Sequence, residues 1–154
     1  MPPETPALPG IRVGADLVEV ARVERLMADN PGLADQVFTG RERAYCASRP
    51  RRRGEHLAAR FAAKEAVLKA LGTGAAGADW TEIEVVNQAN GRPVLRLHGR
   101  AAALADRRQV RQTDISLSHG AGLATAYAVL VCAGPDKDQH DPQHQQDTTG
   151  RATT

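Results

Sequence analysis

From His56 to Gly72 the chain reads HLAARFAAKEAVLKALG, and Leu57, Ala58, Phe61, Ala62, Ala63, Ala66, Val67, Leu68 and Leu71 leave it no broad wet face. No Pro or Gly interrupts the run, and Gly72 stands where a left-handed C-terminal cap belongs. The pattern predicts one long, buried helix. Upstream the rhythm is different. Ile11, Val13, Ala15 and Leu17 alternate with Arg12, Gly14, Asp16 and Val18, which predicts a strand over 11–18 with Asp16 on the face opposite the aliphatic set. Aspartate is poor in strands, so its place there needs a reason.

The remaining elements follow in order. Val20–Ala28 reads as a short helix with Val20, Val23, Leu26 and Met27 on one stripe and Arg22 and Arg25 off it; Asn30-Pro31-Gly32 stops it. Leu33–Val37 continues helically. Thr39 is placed to cap a helix over Arg41–Ala47, with Glu42 completing a capping box. Pro50–Gly54 (PRRRG) reads as a basic loop, and residues 72–80 (GTGAAGADW) as a Gly/Ala loop that lets backbone approach a ligand. Glu82–Asn87 and Pro93–His98 are predicted strands joined through Asn90-Gly91, a strong hairpin signal. Arg100–Arg108 is an Ala-rich helix. Ile115–Ser118 and Leu123–Val131 are the last strands, turning through His119-Gly120-Ala121-Gly122; the second is the most apolar and is predicted to be central.

Composition narrows the class. At 154 residues with 42% hydrophobic and 25% charged positions, the chain holds one domain with a real core. The Pro-rich residues 1–10 read as a flexible arm, 11–133 as the domain, and 134–154 as a polar tail expected to be disordered. The net charge is +2, but the tail holds four Asp against Lys137 and Arg151, leaving +4 on the body. That imbalance suits an acidic partner or a phosphorylated ligand. A nucleic-acid binder is disfavoured by the near-neutral total and by an aromatic content of 3%. Two cysteines, Cys46 and Cys132, make neither a disulfide framework nor a zinc set and read as free thiols. No signal peptide or membrane-length apolar run is seen, which predicts a cytoplasmic protein with no membrane association.

The candidate chemistry sits where carboxylates are locally unwelcome. Asp16 lies in a strand and Glu65 on a mostly apolar helix. Two carboxylates, with oxygens from a phosphorylated substrate and water, suit Mg²⁺. Arg60, Lys64 and Lys69 on the same helix are candidates to neutralise phosphate oxygens, and His119 adds a further donor. The plainer alternative is that Glu65 and Lys69 form an ordinary i, i+4 pair while Arg60 and Lys64 reach out to solvent. The functional reading is a site that handles a diphosphate, since phosphoryl transfer needs mostly positioning and charge neutralisation.

Five segments in order, GADLVEVARVERL (14–26), VFTGRERAYC (37–46), LAARFAAKEAVLKALGTG (57–74), NGRPVLRL (90–97) and SLSHGAGLATAYAVL (116–130), together resemble the holo-[acyl-carrier-protein] synthases, the small, single-domain class of 4′-phosphopantetheinyl transferases. The resemblance spans about residues 11–132. It implies an α+β fold, with an antiparallel sheet packed against one long helix, and a homotrimer with sites between subunits. It also implies a Mg²⁺-dependent enzyme of fatty acid or polyketide biosynthesis. The 4′-phosphopantetheine group of coenzyme A passes to a serine of an apo acyl carrier protein, releasing adenosine 3′,5′-bisphosphate.

By position, the resemblance makes Asp16 and Glu65 the metal ligands and sets Arg60, Lys64, Lys69 and His119 near the coenzyme A phosphates. Gly72, Thr73 and Gly74 fall beside the nucleotide, and Arg22 and Arg25 on the helix that docks the carrier. Glu65, Lys69 and His119 are the catalytic candidates, with Glu65, or a water it holds with Asp16, taking the serine proton. One departure stands out: relatives often carry an acid after the SxSH histidine, where this chain has Gly120. The alternative function is a catalytically silent module that binds coenzyme A or the carrier.

Overall fold

The structure, a computed structural model, describes residues 8–135. Strand β1 (Gly10–Glu19) leads into helices α1 (Val20–Asp29), α2 (Leu33–Val37) and α3 (Gly40–Ala47), then the long α4 (Arg53–Leu71). Strands β2 (Ile83–Asn87) and β3 (Pro93–Leu97), helix α5 (Gly99–Arg107) and strands β4 (Val110–Gly120) and β5 (Leu123–Cys132) complete it. The fold is α+β. One antiparallel sheet has the order β1-β5-β4, so the most apolar strand is indeed central; β2 and β3 form a separate hairpin.

Local signals explain most of these boundaries. Gly72 ends α4 with φ 75°, where a side chain would be strained. Thr39 and Glu42 cap α3 reciprocally, with Glu42 N donating to Thr39 Oγ1 at 3.2 Å and Thr39 N to Glu42 Oε2 at 2.9 Å. Gly91 turns the β2–β3 hairpin at φ 86°. Two expectations need correction. Residues 50–54 are not a loop: Pro50–Arg52 form a 3₁₀ turn and Arg53 and Gly54 already belong to α4. His119 is not in the turn but in β4, opposite Ala124, and the turn itself is Ala121-Gly122. The long ladder with β5 supplies backbone hydrogen bonds that the Gly content alone does not advertise. The proposed arm and tail lie largely outside the described residues; within them, Gly10 already pairs with Cys132 and donates to the Gly134 carbonyl at 2.7 Å.

The core forms where α4 lies on the sheet. Ala62, Ala63, Ala66, Val67 and Ala70 pack against Ala126, Ala128 and Leu130, all essentially buried. Small residues allow a very close approach: a Cβ on Gly14 would stand 1.8 Å from the Ala66 carbonyl oxygen. The inward face of β1 is therefore Gly14, Asp16 and Val18. Its aliphatic set points the other way, and Ile11, Val13 and Leu17 remain about 60% exposed (58%, 61% and 62%), with Tyr127 of β5 at 53%. No helix among the described residues is long and apolar enough to cross a membrane.

Candidate active site

The packing of α4 on β1 brings three of the candidate residues together. Asp16 faces the helix because Gly14, two residues earlier, is pressed against it. Lys69, in the last turn of α4, reaches across to donate to Asp16 Oδ1 at 3.0 Å and to the Ala15 carbonyl at 2.9 Å. It thus pairs with the strand carboxylate. Glu65, one turn earlier, is half-buried; burial first, then the negative charge of Asp16, raises its pKa above the ordinary 4.5, while Lys69 opposes the rise. These three side chains line a cleft of about 280 Å³ with Arg22, Leu26 and Phe61.

Two carboxylates that crowd each other beside one ammonium make a good receptor for a hard divalent cation. Mg²⁺ takes only one or two carboxylates from protein and completes its shell with water and phosphate oxygens, so Asp16 and Glu65 fit it. No cluster of three or more such ligands occurs among the described residues.

Arg60 and Lys64 belong elsewhere, and the expectation that they meet phosphates is corrected. Lys64 Nζ has no exposure. It donates to Glu42 Oε2 at 2.8 Å, to the Trp80 carbonyl at 2.9 Å and to the Ile83 carbonyl. All three of its protons are spent inside the fold. Glu42 in turn accepts from Val85 N at 2.9 Å, so the α3 cap residue ties α3, α4 and β2 together. Arg60 is 2% exposed, lies over the Tyr45 ring at 4.1 Å and donates to Asn87 Oδ1. Helical spacing put both residues on a stripe but could not say that the stripe faces α3 and β2.

Gly72, Thr73 and Gly74 follow the C-terminal end of α4, with the Arg12 guanidinium against Gly72, and do not line the cleft. Arg22 is at the cleft and Arg25 is on exposed α1 outside it. His119 also stands apart. Asp16 aligns with Ala126, and Ala126 with Leu117, which puts His119 two strands and two residues away, about 12 Å.

A comparison with family models matches residues 12–132 to the 4′-phosphopantetheinyl transferase superfamily. The chain belongs to this superfamily. Among its relatives, the holo-[acyl-carrier-protein] synthase of Moorella thermoacetica is 45% identical over 120 residues, covering 78% of this chain and 93% of that protein. The Salinispora arenicola protein of the same name is 48% identical over 119 residues, covering 77% and 96%. Among solved structures, an ACPS–CoA complex from Chronobacterium ammoniagenes superposes with a TM-score of 0.70 at 34% identity, covering 79% of this chain and 96% of that one. The Helicobacter pylori holo-[acyl-carrier-protein] synthase in complex with coenzyme A gives 0.67 at 25% identity, covering 77% and 98%.

One acidic residue of this transferase escaped the sequence reading. Glu55, in the first turn of α4, places Oε2 3.3 Å from Nδ1 of His119. The sequence left it between the stretch read as a loop and the helix read from His56; in the structure it is the acid of the first turn of α4, where it suits the helix dipole. Beside it, His56 stands edge-on to His119, ring centroids 5.8 Å apart. Burial, then the charges of Arg60 and His119, lower the pKa of His56 below 6.5.

Proposed function

We propose that this chain transfers the 4′-phosphopantetheine group of coenzyme A to a serine hydroxyl of an apo acyl carrier protein, giving holo carrier and adenosine 3′,5′-bisphosphate. The observation that carries the reading is the convergence of Asp16, Glu65 and Lys69 on one cleft in a chain of this superfamily. The serine oxygen attacks the β-phosphorus; the bond from that phosphorus to the bridging oxygen breaks, and its electron pair leaves with the adenosine bisphosphate. Asp16 and Glu65 would hold Mg²⁺, which when bound supplies positive charge to the diphosphate oxygens. Lys69 neutralises charge growing on the transferred and departing oxygens. Glu65, whose proton affinity is raised by burial and by Asp16, takes the serine proton directly or through a water. His119 supplies a further group at the phosphates, and residues 72–74 lie beside the nucleotide.

The carrier docks on α1. Arg22, at the cleft, and Arg25 present positive charge there, and Leu26 on the same helix leaves apolar surface 38% exposed. Charge complementarity of this kind steers an acidic partner. The working unit is a homotrimer with sites between subunits. Two facts support it: the outer face of the sheet exposes Ile11, Val13, Leu17 and Tyr127, and His119 is remote from the cleft of its own chain. An apolar patch of this kind ordinarily marks an interface. Two buried free thiols, Cys46 and Cys132, accord with a reducing cytoplasm; the role we assign there is in fatty acid or polyketide biosynthesis.

The test is intact-mass spectrometry of an apo acyl carrier protein incubated with this protein, coenzyme A and Mg²⁺. A gain of about 340 Da, one covalent phosphopantetheine, is expected and should vanish with EDTA. No gain across a panel of carriers would overturn the activity; a gain indifferent to EDTA would overturn the metal assignment.

A further inference from the structure

The Glu55–His119 contact lies outside the cleft and serves no structural purpose that its neighbours explain. Glu55 Oε2 is buried and has no hydrogen-bond partner of ordinary geometry. A buried carboxylate oxygen left in that state is costly. Two groups approach it: Arg52 Nε at 3.8 Å from the preceding turn and His119 Nδ1 at 3.3 Å from β4. The first is too long to be a hydrogen bond. The second is just beyond one, as catalytic hydrogen bonds often are before substrate arrives. Gly120, next in the chain, has no side chain to offer.

The remaining groups around the ring cannot replace Glu55. His56 packs its ring edge-on, is disfavoured as a cation, and has Tyr45 on its far side. Arg49 lies over Tyr45 at 3.9 Å. Among the described residues, Glu55 is the acid within ion-pair reach of His119.

We propose that Glu55 is a positioning residue for His119: it accepts the Nδ1 proton, holds the ring in one tautomer and one orientation, and leaves Nε2 as the atom that meets substrate. Which ring nitrogen of a histidine is free to act is set by the hydrogen bond the other one makes. The inference rests on the transferase reading for the use made of Nε2, but not for the Glu55–Nδ1 bond itself.

Two measurements separate those dependencies. Long-range ¹⁵N–¹H correlation on the ¹⁵N-histidine-labelled full-length protein reads the tautomer of His119 without any turnover. The proton is expected on Nδ1 in the wild type and redistributed between the nitrogens in Glu55→Ala. Steady-state kinetics then read the consequence. Glu55→Ala is expected to lower kcat about 10- to 100-fold, the usual loss when an orienting partner is removed, with KM for coenzyme A and for carrier within about twofold. Glu55→Gln, which keeps an acceptor for Nδ1–H, is expected to recover most of that loss. In the double variant Glu55→Ala/His119→Ala the loss should equal that of His119→Ala alone, because a positioning residue has nothing left to position.

A wild-type ring without a proton on Nδ1 would overturn the proposal, whatever the kinetics. So would losses that multiply in the double variant, which a merely structural Glu55 would produce. If wild-type protein shows the Nδ1 tautomer but transfers nothing, the positioning stands and the transferase reading falls.

Discussion

Replacing Lys64 by methionine tests which of two jobs this lysine has. The substitution keeps most of the side-chain length and removes the ammonium. Glu42 then keeps a charge at zero exposure with no cation beside it, and the Trp80 and Ile83 carbonyls lose their donor. Burial is the leading influence on Lys64 and lowers its pKa below 10.5, with Glu42 pulling the other way. Desolvation therefore already consumes much of the attraction, and the damage comes from what is left behind. Breaking a buried pair on one side costs about 3–5 kcal/mol. At roughly 3 °C per kcal/mol for a chain of this size, the midpoint of thermal unfolding should fall about 10–15 °C. The assay is urea and thermal unfolding at one fixed protein concentration, since an oligomer's apparent stability depends on it. Glu42→Gln in the same chain should return part of the loss, because the amide still accepts from Val85 N. KM for coenzyme A, measured well below the melting range, should stay within about twofold. A wild-type melting curve with KM raised tenfold or more would refute the reasoning and return Lys64 to the phosphates.

Three further outcomes follow from the same geometry. Glu65 has a folded pKa raised above 4.5, so the native state holds this proton more tightly than the unfolded chain, and ionisation removes stability as pH climbs from the unfolded value through the folded one. Glu65→Gln should abolish transfer, melt above wild type at neutral pH, converge with it below about pH 4, and lack the stabilisation by Mg²⁺ that is expected of wild type with coenzyme A; a variant melting below wild type at pH 7 would reverse the sign. Gly14→Ala puts a methyl 1.8 Å from one helix backbone atom and 2.9 Å from another, and should cost about 3 kcal/mol in urea unfolding; an unchanged midpoint would show that α4 sits farther from β1. Val13→Lys with Leu17→Lys charges the open sheet face and should convert a trimer to monomers by analytical ultracentrifugation; a monomeric wild type would remove the interface altogether.

What could be read from sequence was whatever short-range chemistry decides. The Thr39–Glu42 box, the Asn90-Gly91 hairpin and the left-handed Gly72 each carry their partners within four residues, so spacing alone locates them. Asp16 and Glu65 stood out because each is out of character with its surroundings, and the fold sets both on one cleft. The failures concern direction, or partners that only the fold supplies. Arg60 and Lys64 share a helical stripe, but nothing local says that the stripe faces a buried glutamate 22 residues upstream. Ile11, Val13 and Leu17 alternate as a core face does, yet they point outward, because the inward side must be thin enough to admit α4. His119 was read as a turn residue since its glycine neighbours outweigh, locally, a ladder to Ala124 that only the fold supplies. Glu55 was passed over because it falls between the stretch read as a loop and the helix read from His56, and its contact with His119 comes from β4.

The contact between Gly14 and Ala66 has a bearing on how this protein can change over generations. In most cores a larger aliphatic residue is a small step, absorbed by neighbours that shift. Here the missing side chain works as a gauge that sets the gap between strand and helix, and the two carboxylates of the cleft ride on the two sides of that gap. A single added methyl would widen it and part Asp16 from Glu65 before either was touched. Divergence should therefore accumulate on α1, α5 and the outer sheet face, where partners differ, while the thin seam beneath α4 stays closed to improvement by any residue larger than those now in it.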